Sequence, residues 1–365
     1  MMTAWLYWCG QCSGATLISD VQTRKAETDC RSWSCVFAVL VLGLCAGAEA
    51  SNLFVDDAVL EIGLEGPIGE LIDHRVDKLE YPFVLRANDV EISVRVRARG
   101  NSRLRLCHFP PLRLNFEGQD VAGTVFADQD RVKLVSHCRE APDYESYLLD
   151  EYAAYRIFNV ISDNSYRVRL ARVTYVDTAE DADPRTIERF AFLIESADDL
   201  AQRIGAQQVE VPGIAIGSLD EAQAAEVFVY QYLIGNTDWS LVTADSDDFC
   251  CHNIDLYQAD DRHIIVPFDF DLSGLVDARY AKPDPSLRLS RVTQRRYRGY
   301  CISPNAVATA LGSIAARQED VVTVLRETPG LSDEAREKAL EFLAGFFRQA
   351  ADEEDLLRRF ERGCL

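Results

Sequence analysis

Apolar and basic residues alternate along the segment ISVRVRAR at positions 92–99. Apolar side chains occupy every second position, and arginines fill the positions between them from residue 95 onward. Because a strand points successive side chains to opposite faces, this period of two predicts a half-buried strand with one basic face. The alternation returns in LRLNF at 112–116, and RVKLV at 131–135 is a further short strand. The first half of the chain is therefore predicted to be rich in strands.

Helical spacing of apolar residues begins in the segment SYLLDEYAAYRIFNVI at 146–161. Further on, Ser218 and Glu221 have the spacing of a capping box, which predicts the start of a second helix. Ser303, which is followed by proline, and Ser332 predict the starts of two more. The second half is thus predicted to be mainly helical.

The change from one pattern to the other falls between residues 195 and 213, and no internal repeat or low-complexity linker marks it. Strands followed by helices are typical of an α+β layout. We therefore expect a strand-rich N-lobe at 51–195 and a mainly helical C-lobe at 196–365.

The apolar run VFAVLVLGLCAGA at 36–48 is shorter than the ~20 residues that a membrane-spanning helix needs. Basic residues precede it, and Ala48-Glu49-Ala50 after it fits the small-x-small pattern of a cleavage site. We expect residues 1–50 to be a cleaved signal peptide or leader, and the mature protein to be periplasmic or extracellular with no stable membrane span. A buried core helix and an uncleaved anchor are the alternatives.

Six of the eleven cysteines follow the predicted cleavage site. An even number in an oxidising compartment favours disulfides. A bridge between Cys107 and Cys138 would tie neighbouring strands of the N-lobe, whereas the full connectivity is not readable from spacing. Neighbouring cysteine and histidine residues also allow a zinc site, but the common C-x-x-C spacing is missing after residue 50.

The formal net charge of the chain is −21, and little of it lies in residues 1–50. An acidic surface repels nucleic acid and anionic lipid, so neither is an expected partner. The segment SLRLSRVTQRRYR at 286–298 is a local exception. Its arginines would either hold a phosphate or an acidic protein substrate, or make internal salt bridges.

The densest group of acidic and amide residues follows the helix that Ser218 is predicted to cap. Asp269 and Asp271 directly follow the apolar segment IIV, and carboxylates at the end of a buried strand face solvent from a rigid base. Mg²⁺ prefers one or two carboxylates with phosphate oxygens, and the amide of Asn253 is a further candidate ligand. Asp238 is placed to accept a proton from a hydroxyl substrate.

The order of these motifs resembles that of the CotH kinase-like proteins, the family of spore coat protein H. The resemblance spans about residues 59–298, and its most specific parts are Arg99-Gly-Asn-Ser102 and Phe268-Asp-Phe-Asp271. The other matching segments are Leu112-Arg-Leu-Asn-Phe116, a lysine-bearing strand, the helix with Glu151, Phe192-Leu-Ile-Glu195, Gly235-Asn-Thr-Asp238 and His252-Asn253. The resemblance implies a two-lobed atypical protein-kinase-like fold, and some family members transfer phosphate from ATP to protein serines.

The resemblance also implies roles for individual residues around a bound ATP. Lys133 would contact the phosphates, and Glu151 would pair with Lys133 and orient it. The segment that ends at Glu195 would form the hinge beside adenine. Since no G-x-G-x-x-G loop is present, the loop after the first basic strand would cover the phosphates instead. Its candidate cofactor-binding residues are Arg99, Asn101 and Ser102.

In the second half of the chain, the resemblance implies that Asp238 is the catalytic aspartate. It also implies that Asn253, together with Asp269 or Asp271, binds Mg²⁺. The choice between the last two stays open. The intervening loop TADSDDFC at 243–250 is longer than a usual catalytic loop and could displace Asn253. Its aspartates lack the glycine and terminal glutamate of an EF-hand, so a solvated loop is expected rather than a calcium site.

The first functional hypothesis is an exported, Mg²⁺- and ATP-dependent kinase-like phosphotransferase acting on a protein or a hydroxyl substrate. The long catalytic loop and the scarcity of ATP outside the cytoplasm favour a second, a non-catalytic envelope or coat binding protein on the same fold. A metal-dependent glycosyltransferase that uses Asp269 and Asp271 is a third, but it needs a parallel sheet that the strand order does not predict.

Overall fold

The computed structural model describes residues 53–178, 185–242 and 249–365. These residues belong to one compact unit, so the predicted division at residue 195 stays a prediction. The predicted leader and most of the acidic loop lie outside the described residues. Within the three ranges, no helix has both the length and the apolar composition that crossing a membrane requires.

The described residues form a mixed α/β structure in which seven strands close into a barrel. The strands are Leu60–Gly66 (β1), Tyr81–Ala87 (β2), Val90–Ala98 (β3), Leu112–Asn115 (β4), Arg131–Val135 (β5), Val168–Asp177 (β6) and Arg185–Ile194 (β7). Their order is β1-β2-β3-β4-β5-β7-β6, and β1 completes the barrel by pairing in parallel with β6. The strands predicted from alternation are confirmed as β3, β4 and β5.

The period of two divides the side chains of these strands between the inside and the outside of the barrel. Leu85, Val96, Leu114 and Val132 are buried inside it. Full burial of such a side chain stabilises the fold by about 1.5–3 kcal/mol. The basic residues of β3, β4 and β5 are therefore left on the outer face.

The described α-helices are Ile68–Asp73 (α1), Ser102–Leu106 (α2), Pro142–Ile161 (α3), Ala197–Ile204 (α4), Glu221–Leu233 (α5), Pro304–Ala316 (α6), Gln318–Glu327 (α7), Asp333–Ala350 (α8) and Glu353–Gly363 (α9). The first three lie between barrel strands along the chain, and the other six follow the last barrel strand. Helix α3 packs against the outer face of β6 and β7, with Tyr152 and Tyr155 in ring contact with Phe192. This contact belongs to a second core that continues into the C-terminal helices.

The start of α5 differs from the predicted capping box. Asp220 caps the helix, since its side chain accepts a hydrogen bond from the Gln223 N–H at 3.0 Å. The Ser218 hydroxyl donates instead to a carbonyl of the preceding turn. The Glu221 carboxylate is drawn away from the helix start by the N–H of Ser303, at 2.9 Å.

A second, antiparallel sheet contains Gln207–Val209 (β8), Ile254–Ala259 (β9) and Arg262–Pro267 (β10), in the order β10-β9-β8. The buried side chain of Gln223, in α5, donates to the carbonyl of Ile265 at 2.7 Å and accepts from its N–H at 3.1 Å. This pair of bonds fixes β10 and therefore the place where the strand ends and the acidic segment begins.

The six cysteines after residue 50 form three disulfides: Cys107–Cys138, Cys250–Cys251 and Cys301–Cys364. The prediction of disulfides, including the bridge from Cys107 to Cys138, is confirmed. Because their sulfurs are bonded in pairs, these cysteines are not available as zinc thiolates.

Candidate active site

Lys133 lies on the outer face of β5, where aromatic rings enclose its ammonium group. The Nζ atom is 5.3 Å from the centre of the Tyr166 ring and 5.8 Å from that of Phe268. Burial, with the nearby Arg99, lowers the pKa of Lys133 to about 8, although Asp255 acts in the opposite direction. A poorly solvated cation is well placed to attract an anionic ligand.

Arg103 lies at the centre of a buried cluster with three carboxylates. Its Nη2 atom donates to both oxygens of Glu151 at 2.8 Å and to Asp269 Oδ1 at 3.0 Å. Its Nε atom donates to Asp271 Oδ2 at 3.1 Å. Lys133 was predicted to pair with Glu151, whereas the structure places Arg103 there. The reason is that α2 starts directly after the 99–101 turn and brings Arg103 against α3.

The three carboxylates of this cluster differ in exposure. Burial raises the pKa of Glu151 and of Asp271, and the charge of Arg103 opposes that rise. Asp271 also accepts a hydrogen bond from the Tyr280 hydroxyl at 3.2 Å. The side chain of Asp269 is 40% exposed, against 8% for that of Asp271. Asp269 is therefore the better candidate for a metal ligand, since Asp271 is enclosed by protein groups.

The position of Asp269 depends on the segment that leaves β10. Its φ of +60° is in the left-handed region, which aspartate adopts more readily than most residues. Its N–H donates to the Tyr155 hydroxyl of α3 at 2.9 Å. The N–H of the preceding Phe268 donates to the carbonyl of Asn253 at 3.1 Å. The Asp269 segment is thus held by α3 on one side and by the Asn253 turn on the other.

Asp238 lies in the loop after α5, with two polar side chains at its carboxylate. Asn253 Nδ2 donates to Asp238 Oδ2 at 2.9 Å and to the Asp238 carbonyl at 2.8 Å, and His252 Nε2 is 3.1 Å from Oδ1. The Asn236 side chain accepts from the Asp238 N–H at 3.0 Å. The structure thus brings Asp238 and Asn253 together, and the side chain of Asp238 remains 36% exposed.

Two arginines of the basic segment 286–298 bind backbone carbonyls near Asp238 or at the end of α5. Arg298 donates to the carbonyl of Thr237, next to Asp238. Arg295 donates to the carbonyls of Leu233 and Phe342. These two arginines therefore support the loop that carries Asp238, a role that neither sequence hypothesis for this segment included.

Asp255 is a site residue that was not singled out from the sequence. It accepts a hydrogen bond from the Tyr166 hydroxyl, which is also 2.7 Å from the hydroxyl of Tyr257. The charge of Asp255 raises the pKa of Lys133. Its position two residues after Asn253, at the start of a strand, was the available sequence signal.

The loop predicted to cover phosphates contributes one residue to this centre. Arg99 is close enough to Asp269 for that charge to raise its pKa, although burial lowers the pKa more. Asn101 and Ser102 are exposed at the start of α2, where the Asn101 side chain lies 3.5 Å from Lys78 Nζ. The structure therefore brings Arg99 to the centre and leaves Asn101 and Ser102 at the surface.

Glu195 is buried in an ion pair at the end of β7. Its carboxylate accepts from Arg203, in α4, at 2.9 and 2.8 Å, and from the N–H of Arg167 at 3.0 Å. These bonds link β7 to the helix that follows. The Glu195 side chain is thus occupied by bonds within the protein, at the position where the hinge beside adenine was predicted.

The donor set limits the kind of metal that could bind. In the part of the chain that the structure describes, no group of three or more histidine, cysteine or acidic side chains is arranged to hold an ion. Asp269 and the amide oxygen of Asn253 fit Mg²⁺, which usually takes one or two protein carboxylates and completes its shell with phosphate oxygens and water. The residues therefore fit a metal that arrives with phosphates, and they do not form a closed protein cage.

Comparison with known proteins finds no family model and no curated protein that matches the chain. Among solved structures, the crystal structure of the Helicobacter pylori proinflammatory kinase CtkA is similar to 67% of this chain and 91% of its own, with 12% identity and a TM-score of 0.35. A likeness of this size carries no argument about function, and the CotH resemblance stays a prediction.

Proposed function

We propose that the protein is an exported, kinase-like phosphotransferase that uses Mg²⁺-ATP to phosphorylate a hydroxyl group of a protein or small molecule. The observation that carries this proposal is the closeness of two cations to two carboxylates. Asp269 lies near enough to Arg99 and to Lys133 for its charge to raise the pKa of both, and Asp255 has the same effect on Lys133. Phosphoryl transfer depends mainly on positioning and charge neutralisation, which such a group of charges supplies. A two-lobed CotH-type fold, with the barrel as N-lobe, is part of the proposal.

The basic and the acidic side chains have distinct parts in the proposed reaction. Lys133 and Arg99 hold the phosphate chain, and Asp269 and Asn253 hold Mg²⁺, which when bound neutralises phosphate charge. Asp238 accepts the proton of the acceptor hydroxyl as its oxygen bonds to the terminal phosphorus and the bond from that phosphorus to ADP breaks.

In this proposal Arg103 supports Asp269, the proposed metal ligand. Its bonds to Glu151 and Asp271 are buried, and its bond to Asp269 restricts the rotation of the half-exposed carboxylate. A fixed carboxylate loses less conformational freedom when a ligand binds. Arg103 is therefore a positioning residue for Asp269.

A second candidate function is binding without transfer, in an envelope or coat protein. The observation that favours it is the engagement of Asp238 by His252 and Asn253. Both carboxylate oxygens of Asp238 already have polar partners, one of which an acceptor hydroxyl would have to displace. Lys133 and Arg99 would still bind phosphates in this case.

Thermal unfolding of the oxidised protein with and without millimolar Mg²⁺-ATP tests the site, because a ligand that binds only the folded state raises the midpoint. The variants are Asp269→Asn, Asp238→Asn and, as a matched control, Asp261→Asn in the exposed turn between β9 and β10. We expect a Mg²⁺-dependent rise that is lost in Asp269→Asn and kept in the other two.

Release of ADP in the presence of candidate hydroxyl acceptors separates the two functions. Transfer that stops in Asp238→Asn while nucleotide binding persists supports the enzyme. Binding without turnover in the unmodified protein supports the binding protein. No change of midpoint with Mg²⁺-ATP would remove both nucleotide hypotheses.

A further inference from the structure

Two parallel rows of side chains cross the outer face of β3, β4 and β5. In the first row, Arg95 is opposite Asn115, which is opposite Arg131. In the second row, Arg97 is opposite Arg113, which is opposite Lys133. Residues directly opposite each other on neighbouring strands point to the same face, so each row is a line of neighbouring side chains.

The first row is neutralised by acidic residues. Arg95 forms an ion pair with Glu80 at 2.7 Å, and the amide of Asn115 donates to the same carboxylate at 3.1 Å. Arg131 forms an ion pair with Glu117 at 2.8 Å. This row is a self-contained surface network that needs no ligand.

The second row has no such ion pairs among the described residues, although Asp255 and Asp269 lie near enough to Lys133 for their charges to raise its pKa. None of Arg97, Arg113 and Lys133 forms an ion pair there, and the Arg97 guanidinium donates only to the carbonyl of Ala98, at 3.3 Å. Burial lowers the pKa of Arg113, and the charges of Arg97, Arg99 and, less strongly, Arg131 lower it further, against a weaker opposite effect of Glu80.

Like charges placed directly opposite on neighbouring strands destabilise a sheet. The chain has 59 acidic residues against 38 basic ones, so acidic partners are plentiful, and the row beside it has them. Local conflicts of this kind are found mainly where a site binds something. The row also ends at Lys133, which lies beside Phe268 and near Asp269.

We propose that Arg113 and Arg97 extend the Lys133 site into a binding row for a chain of phosphates. Neighbouring strands are ~4.8 Å apart, so three cations span roughly 10 Å, which suits a chain of several phosphates better than a single one. The inference rests on the proposed function for the identity of the ligand, the triphosphate of a nucleotide. It adds that Arg113 makes the site prefer ligands with more phosphates.

The experiment compares Arg113→Gln with Arg131→Gln, which lies on the same sheet face but in the neutralised row. Affinities are measured by calorimetry for ATP, ADP and AMP with Mg²⁺, and for inorganic tripolyphosphate without metal. A charge-assisted bond to phosphate supports an expected loss of about tenfold or more for ATP and tripolyphosphate in Arg113→Gln. The loss is expected to shrink from ATP to AMP, and Arg131→Gln is expected to change each affinity by less than about twofold.

The outcomes separate this inference from the proposed function. Tripolyphosphate binding that depends on Arg113, with no binding of Mg²⁺-ATP, keeps the row and overturns the nucleotide function. Mg²⁺-ATP binding that is lost in Asp269→Asn but unchanged in Arg113→Gln keeps the function and overturns the row. Equal losses in Arg113→Gln and Arg131→Gln also overturn it. Arg113→Lys keeps the positive charge and is expected to recover much of the tripolyphosphate affinity. If the folded Arg113→Lys variant binds tripolyphosphate as weakly as Arg113→Gln does, the phosphate-binding row is contradicted.

Discussion

The Nη2 atom of Arg103 donates to both carboxylate oxygens of Glu151, at 2.8 Å each. The two residues are 48 positions apart and both are buried, Glu151 to 2% exposure and Arg103 to 9%. A charge in such a place is stable only with a partner, because desolvation penalises the charged form of each group. This pair therefore connects the stability of the protein to the geometry of the Asp269 segment.

Replacing Arg103 by methionine is expected to destabilise the protein by about 3–5 kcal/mol, because Glu151 and Asp271 lose their buried cation. Denaturant unfolding near neutral pH measures the change. Arg105→Met, two residues along the same helix and exposed, is the matched control and is expected to stay within about 0.5 kcal/mol of the unmodified protein. Similar unfolding midpoints for the two variants would show that the cluster does not need its cation.

Lys133→Met is expected to stabilise the ligand-free protein at neutral pH. The pKa of Lys133 is lowered to about 8 in the folded protein, from an ordinary value of 10.5. Between these values the unfolded state binds more protons, so the contribution of Lys133 to stability rises with pH across that window. The advantage of Lys133→Met should therefore be largest below pH 8 and shrink toward pH 10.5. Urea unfolding at pH 7 and pH 10 measures it.

The exposed Lys282→Met is the control for this titration. Other groups that titrate at high pH act equally in all variants, so the differences between variants isolate Lys133. A pH-independent difference between Lys133→Met and the unmodified protein would contradict a lowered pKa at this site.

Asp269→Asn and Asp271→Asn are expected to have opposite effects. Because Asp269 is half exposed, Asp269→Asn should abolish Mg²⁺-dependent nucleotide binding with little change in stability. The buried Asp271 bonds to Arg103 and Tyr280, so its replacement should lower stability by about 1–3 kcal/mol and leave binding measurable. Paired thermal-shift and urea measurements check both. The reverse pattern would make Asp271 the metal ligand.

His137 is expected to contribute to acid unfolding. Its ring is 1% exposed, its Nδ1 atom has no hydrogen-bond partner among the described residues, and burial lowers its pKa to about 4. Between pH 6.5 and 4 the unfolded state binds the proton first, so stability falls as the pH is lowered through this window. At one pKa unit per ~1.4 kcal/mol, the loss is about 3 kcal/mol.

The variant His137→Phe should remove that slope, and the exposed His108→Phe serves as its control. Urea unfolding at pH 6.5, 5.5 and 4.5 gives the slopes. If both variants follow the unmodified protein in parallel, another group is responsible for the acid sensitivity.

Much of the local structure could be predicted because it depends on neighbouring residues. The alternation around Arg97 and the strand before Asp269 were predicted correctly, and so was the bridge from Cys107 to Cys138. The cap of α5 was predicted wrongly, since Ser218 and Asp220 are both good capping residues and the wider packing selected Asp220.

The sequence alone determined the strands β3, β4 and β5, the basic outer face that they share and the placing of Asp269 directly after a buried strand, because backbone periodicity acts over a few residues. Only the tertiary structure decided which charges meet. Arg103 contacts Glu151 and Asp271, which are 48 and 168 residues away along the chain. Likewise, only strand pairing set Arg113 between Arg97 and Lys133 while giving the row beside it acidic partners. Pairing partners at such separations follow from how the elements pack, and no local pattern records them.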